Sequence, residues 1–198
     1  MSKDLSKAKQ KRLSWDETLM NLAILASKRS ACKFHETGTV FVDQNKRIIS
    51  IGYNGPTEGD YHCLEAGCAK VDGDPITKKL RRCRGAHAEI NGIINCQDTK
   101  RLRGATIYSV LFPCYDCMKA LSNVGIKEVV YYRGYERIQT GGEKFEEEDE
   151  SLDLAKKREM VVRKYEGPIY CEFPDEFNGP ETKKEHSTCD CESCDCTC

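Results

Sequence analysis

Long apolar runs are missing from this sequence of 198 residues, and its mean hydropathy is -0.62. A membrane-spanning helix needs about 20 consecutive apolar residues, so none is expected. Met1 to Arg12 carries five basic residues against one acid and has no apolar signal-peptide core. It reads as a flexible arm on an intracellular, cytoplasmic chain. Net charge is nearly absent as well: 31 basic and 32 acidic side chains leave a formal charge of -1. That removes the simplest argument for a nucleic-acid binder. There is no internal repeat, and the length suits one domain whose core needs no disulfide staples. Cysteine, in contrast, is abundant, with 13 in all and five among the last ten positions. In a reducing compartment thiols point to metal ligation or catalysis rather than to disulfides.

Apolar residues Trp15, Leu19, Leu22, Ala23 and Leu25 recur at helical spacing. Ser14 as N-cap and Glu17 three positions on form a capping box, so a helix is predicted from Ser14 to about Ser30. Thr39 to Val42 and Arg47 to Tyr53 read as strands joined by a short turn at DQNK. A polar loop then runs from Asn54 to Gly85. Beyond it, Ala86 to Cys96 reads as helix, Ala105 to Leu111 as strand, Cys114 to Asn123 as helix and Glu128 to Arg133 as strand. The acidic run Glu146 to Glu150 is either a solvated turn or the start of the next helix, Leu152 to Lys164. Pro168 to Phe173 is the predicted last strand. Such alternation of strands and single helices implies a layered α/β sheet.

His87-Ala88-Glu89 and, 24 residues after Glu89, Pro113-Cys114-Tyr115-Asp116-Cys117 carry the chemistry. Both stand at predicted helix starts. Cys114 and Cys117, three apart in a first turn, share a face where the helix dipole favours thiolates, the form that binds zinc. One His and two Cys are three protein ligands, which leaves a tetrahedral zinc one position for water, as in a catalytic site. Zinc brings the pKa of such a water to about 7, and Glu89 is placed to take its proton and pass it to the leaving group. H-x-E followed by P-C-x-x-C is the signature of zinc deaminases of nucleobases, in which the activated water adds to C4 of cytosine and ammonia leaves. A C-x-x-C pair alone would equally fit half of a structural zinc site.

From Trp15 to Tyr135 the sequence resembles the deoxycytidylate (dCMP) deaminases. The resemblance is carried by Lys28-Arg29-Ser30-Ala31-Cys32, Ile51-Gly52-Tyr53-Asn54-Gly55-Pro56, His87-Ala88-Glu89-Ile90-Asn91 and Leu111-Phe112-Pro113-Cys114. It implies a three-layer α/β/α cytidine deaminase-like fold with a mixed sheet of roughly five strands. It also implies hydrolysis of dCMP to dUMP for thymidylate synthesis, by a homo-oligomer, commonly a hexamer. By the same resemblance Asn54 would bond the deoxyribose, the backbone at Ala88 would hold the pyrimidine carbonyl, and Tyr135 would close the nucleotide site. An Asn-Gly pair is also a plain turn former, and a tyrosine at a strand end needs no ligand. Relatives are often activated by dCTP with Mg2+ and damped by dTTP; Asn95 and Asp98 stand where regulated relatives have an aromatic and a basic residue. Some bacterial relatives handle phosphate with a basic residue just after the first-helix cysteine, where this chain has Lys33, Phe34 and His35.

Several dCMP deaminases hold a second, structural zinc that ties the substrate loop to the first helix, and the resemblance extends to Cys32, Cys63, Cys68 and Cys83. Four residues separate Cys63 from Cys68, a permissible ligand spacing, and His62 is the reserve ligand. The alternative is four separate buried or free thiols. Cys96 and Cys171 fall in predicted regular elements and read as small buried hydrophobes. The five tail cysteines, interleaved with three acids, suit soft metals but no core, so residues 174–198 read as a disordered tail after a deaminase domain at 14–173 and an arm at 1–13. Rival readings are a deaminase of another cytosine substrate (dCTP, a nucleoside or single-stranded nucleic acid) and a catalytically silent zinc-binding protein. The basic clusters Lys78, Lys79, Arg81, Arg82, Arg84 and Lys100, Arg101, Arg103 are the support for a polynucleotide, but no aromatic residues interleave them to stack bases. No nucleic-acid or membrane partner is expected.

Overall fold

Ser14 and Glu17 close the capping box: the Ser14 N–H donates to Oε2 of Glu17 (2.6 Å) and the Glu17 N–H to Oγ of Ser14 (3.1 Å). They start α1 (Trp15–Ser27) in a computed structural model that describes residues 12–134, 137–138, 144–145 and 147–171. The strands are β1 (Gly38–Val42), β2 (Ile48–Tyr53), β3 (Gly55–Pro56), β4 (Gly85–Ala86), β5 (Thr106–Leu111), β6 (Glu128–Arg133), β7 (Arg137–Ile138), β8 (Lys144–Phe145) and β9 (Val161–Lys164). The remaining helices are α2 (Cys63–Ala66), α3 (Ala88–Ile94), α4 (Tyr115–Val124) and α5 (Glu147–Lys157), with a short 3-10 turn at Thr99–Leu102. Among the described residues no helix is long and apolar enough to cross a membrane.

The central sheet has the order β2-β1-β5-β6-β9. β1 pairs antiparallel with β2 and β5, whereas β5–β6 and β6–β9 are parallel, so the sheet is mixed. Alternation sorts its side chains into two cores. Val40, Val42, Tyr108, Val110 and Val130 pack under Leu19, Met20 and Ala23 of α1. Phe41, Ile107 and Val129 face the other way, against Met118, Leu121 and Ala155 of α4 and α5. Helices on both faces make the three layers that the sequence predicts.

Four expectations need correction. Helix does not extend from Leu152 to Lys164: α5 begins in the acidic run and stops at Lys157, Glu159 takes a positive φ of 52°, and the β-branched Val161-Val162 pair beside β6 as strand β9. Pro168 to Cys171 is consequently not a strand. Asn21 holds it on α1 instead, donating to the Pro168 carbonyl (3.1 Å) and accepting from the Tyr170 N–H (2.6 Å). Trp15 and Leu25 are exposed rather than part of the buried helix face. Cys96 does lie in the core, whereas Cys171 is half-buried.

One close approach sets where the chemistry can sit. Helix α3 lies so near β2 that a Cβ at Gly52 would run into the Ala88 carbonyl oxygen and the Gly92 backbone, while one at Gly92 would strike the Phe41 ring. Backbone atoms cannot rotate away as a side chain can. Gly52→Ala is therefore expected to destabilise the fold by about 3 kcal/mol, the upper part of the usual overpacking range. That lowers the thermal midpoint by roughly 10 °C, and a shift below about 2 °C would contradict the packing account.

At the opposite end of the sheet Arg163 of β9 binds Asp16 through two nitrogens (2.7 and 3.0 Å) and Glu128 through Nε (2.7 Å). Tyr108 donates to the same Asp16 (2.6 Å). Burial tends to raise the Asp16 pKa, but the bonds from Arg163 and Tyr108 outweigh it and hold the carboxyl below its ordinary value.

Candidate active site

His87 and Cys114 are the residues that begin two helices. Each is an N-cap with extended backbone, of α3 and α4 respectively, and neither side chain caps its own helix. Glu89 and Cys117 follow in the first turns. Because α3 crosses β2 and α4 starts just beyond the carboxyl end of β5, both helix starts meet above the sheet, where open α/β sheets carry their ligand sites. Thr39 and Asn91 fix α3 there: Oγ1 of Thr39 donates to the Ala88 carbonyl (3.1 Å), and Nδ2 of Asn91 to the carbonyl of Tyr53 (2.8 Å). Phe112, set edge-on to Tyr131 with centroids 4.9 Å apart, supplies the apolar wall.

Nδ1 of His87 lies 3.5 Å from Sγ of Cys114 and 3.4 Å from Sγ of Cys117. Zinc bonds of about 2.0–2.3 Å at a tetrahedral angle call for donors roughly 3.6 Å apart, so the three atoms fit that ion. Among the described residues this is the one group of three or more His, Cys, Asp or Glu whose donor atoms all lie within 4.8 Å of one another. Cys114 is favoured as thiolate, mainly by the hydrogen bond from Cys117 and further by His87, against the opposing pull of burial. Glu89 is 3% exposed. Burial is the main cause of its raised pKa, with its own backbone N–H and His87 pulling the other way. A carboxyl in that setting holds a proton more readily than a surface glutamate.

His35, Thr37, Asn54, Leu111 and Phe112 complete the cavity around His87, Glu89 and Cys114. The side chain of Asn54 spans two elements: its Oδ1 accepts the Ala88 N–H (2.7 Å) and its Nδ2 donates to the His35 carbonyl (3.0 Å). In this arrangement the Ala88 N–H, expected to serve a pyrimidine, is engaged by Asn54. Tyr135 and the tail cysteines lie outside the described residues.

Cys32, Cys63 and Cys83 line a second cavity that shares His35, Asn54 and His87 with the first. Cys68, also buried, is not among its lining residues, and the four thiols do not come within the mutual spacing of the His87 group. Lys78, Lys79, Arg81 and Arg82 are exposed, but Arg84 is half-buried and parts company with the rest of its basic cluster. Thr37, Thr39 and Asn91 join the site although the sequence does not mark them as site residues. Of these, Asn91 sits in the motif that begins at His87, while nothing in the sequence singles out the two threonines.

Residues 13–133 match the model of the cytidine and deoxycytidylate deaminase zinc-binding region. The chain belongs to this deaminase family. Its relatives include the deoxycytidylate deaminase of Schizosaccharomyces pombe, 37% identical over 133 residues that make up 67% of this chain and 41% of that one. ComE operon protein 2 of Bacillus subtilis is 33% identical over 76% of each chain, and human deoxycytidylate deaminase 33% over 66% of this chain and 71% of its own. The match thus spans well under half of the fission yeast enzyme. In fold, the family resemblance extends to the dCMP deaminase of cyanophage S-TIM5, solved with dCMP and dUMP, at a TM-score of 0.58 and 23% identity over 78% of this chain and 99% of that one. The family's zinc-binding region and the His87, Cys114, Cys117 cluster together support Zn2+ as the metal.

Proposed function

We propose that this chain hydrolyses dCMP to dUMP and ammonia, with His87, Cys114 and Cys117 holding the catalytic zinc and Glu89 as the proton carrier. The observation that carries the reading is the placement of the Glu89 carboxyl in the same cavity as His87 and Cys114, with the His87 ring nitrogen 3.4–3.5 Å from both thiols. The choice of dCMP rests on the relatives named deoxycytidylate deaminase in yeast and human. Bound zinc supplies a Lewis acid that makes a water acidic near pH 7. Glu89 takes one proton from water as its oxygen adds to C4 and delivers it to N3, then takes the proton of the new C4 hydroxyl and delivers it to the 4-amino group. The C4–N4 bond breaks, a carbonyl forms at C4 and ammonia departs.

Asn54 presents one remaining amide N–H to the deoxyribose, Ala88 offers its backbone to the pyrimidine carbonyl on substrate entry, and Tyr135 closes the site. The working domain is 14–173, with residues 1–13 and 174–198 as appendages. Cys32, Cys63, Cys68 and Cys83 supply a structural zinc, with Cys32, Cys63 and Cys83 around one cavity. A homo-oligomer, a hexamer by resemblance, acts in the cytoplasm, with dCTP and Mg2+ or dTTP as effectors. The test is a side-by-side assay on dCMP, dCTP, deoxycytidine and single-stranded DNA. Turnover of dCMP with one ammonia per dUMP is expected, and turnover of DNA without dCMP would overturn the assignment.

A further inference from the structure

Arg84 is an odd member of its loop. Its Nη2 donates to the Gly67 carbonyl and stands 3.9 Å from Sγ of Cys63, while Nε and Nη1 are buried with no hydrogen-bond partner. A guanidinium keeps its proton at any accessible pH and carries five N–H donors, so burying it against a single neutral carbonyl leaves a charge and several donors uncompensated. Native structures seldom tolerate that without a counter-charge. The neighbouring acid is engaged elsewhere, since Asp72 accepts from the Cys68 N–H (2.7 Å) and faces Lys33 (3.4 Å).

Among the described residues, the anionic candidate that stands beside the guanidinium is a sulfur atom, Sγ of Cys63. The His35 N–H points at Sγ of Cys32 and the Gly85 N–H at Sγ of Cys83, both at 3.4 Å. With Arg84 beside Cys63, each of the three thiols around the second cavity has an N–H donor near it. Neutral thiols are weak acceptors and gain little from such donors, whereas thiolates on a metal carry the charge that uses them. Charge arithmetic separates the two centres. His87 with two thiolates neutralises Zn2+ without help, but three or four thiolates on Zn2+ leave a net charge of -1 or -2.

We propose that Arg84 is the positioning cation of the thiolate-rich second centre, neutralising its excess charge and orienting Cys63. The proposal rests on the structural-zinc reading above. It predicts that removing the charge weakens this centre and spares the catalytic one, with the 10- to 100-fold loss usual when a partner of a metal ligand is deleted.

The test uses the full-length, zinc-loaded chain with the five tail cysteines changed to serine, as wild-type background and with Arg84→Met or Arg84→Lys. Zinc per chain and the rate of zinc transfer to a chromophoric chelator are measured, followed by the sulfur-to-metal charge-transfer band after cobalt(II) replacement. Two zincs are expected in the background. Arg84→Met should release one of them at least about tenfold faster and shift the band of that equivalent alone, and Arg84→Lys should stay within about threefold of the background rate. Two zincs with unchanged release and an unchanged band in Arg84→Met would overturn the role of Arg84 and leave the second zinc standing. A single zinc in the background would overturn the zinc reading itself. Should Arg84→Met fail to fold, Arg84→Lys decides: release near the background rate upholds a charge role, and release about tenfold faster overturns it.

Discussion

Glu89→Gln should lower turnover of dCMP at least about a thousandfold while leaving zinc content, fold and dCMP binding in place. Glutamine has the shape of glutamate and can still hydrogen-bond, but it cannot accept a proton from water. General acid-base groups contribute about 10²- to 10⁴-fold, and here one carboxyl serves more than one proton transfer, which places the loss toward the upper end. The side chain is buried against His87 and Cys117, and among the described residues that line the cavity there is no second carboxylate to replace it. Ammonia release, metal analysis and equilibrium binding of dCMP to the variant separate the outcomes. Activity within about tenfold of wild type would take Glu89 out of the mechanism.

Cys117→Ala should remove the catalytic zinc and, with it, turnover to background. The thiol is 1% exposed and lies 3.4 Å from the His87 ring nitrogen, on the first turn of α4. Two protein ligands that remain cannot close a tetrahedral site, and affinity falls by far more than the 10- to 100-fold typical of losing an outer partner. The substitution also empties a little core volume, costing about 1 kcal/mol, too little to unfold a domain of this size. Metal analysis should therefore show one zinc per chain fewer, in a protein whose circular dichroism is native. A variant that keeps full zinc and full activity would exclude Cys117 as a ligand.

Much of this site was open to reading from sequence because its parts are local. Capping chemistry at Ser14, an apolar run from Glu128 to Arg133 and the paired motifs at His87 and Cys114 each announce themselves within a few residues. What escaped depends on contacts between distant segments. Val161 to Lys164 looks like the end of a helix until β6 offers its ladder. Asn54 reads as a sugar contact or a turn former, and only the fold reveals that it bridges Ala88 and His35. Arg84 is one basic residue in a run of five, and burial alone separates it from the others. Gly52 belongs to a motif by sequence, yet the physical demand for glycine there comes from a helix 36 to 40 positions further along the chain.

The sheet order carries a consequence for how the chain reaches its native state. Within the central sheet only the β1–β2 ladder is a hairpin; β1 meets β5 through Thr39 and Ser109, and the Asp16–Arg163 pair joins residues 147 positions apart. Such pairings must pay loop-closure entropy before any ladder rewards them, which slows folding relative to helical domains of similar stability. During synthesis α1 leaves the ribosome early yet meets Arg163 only when β9 has emerged, and the Pro168 to Cys171 segment later still. Until then β6 presents an open edge, the form of strand most prone to pair with another chain. The final strand of the sheet thus acts as a latch in time as well as in space.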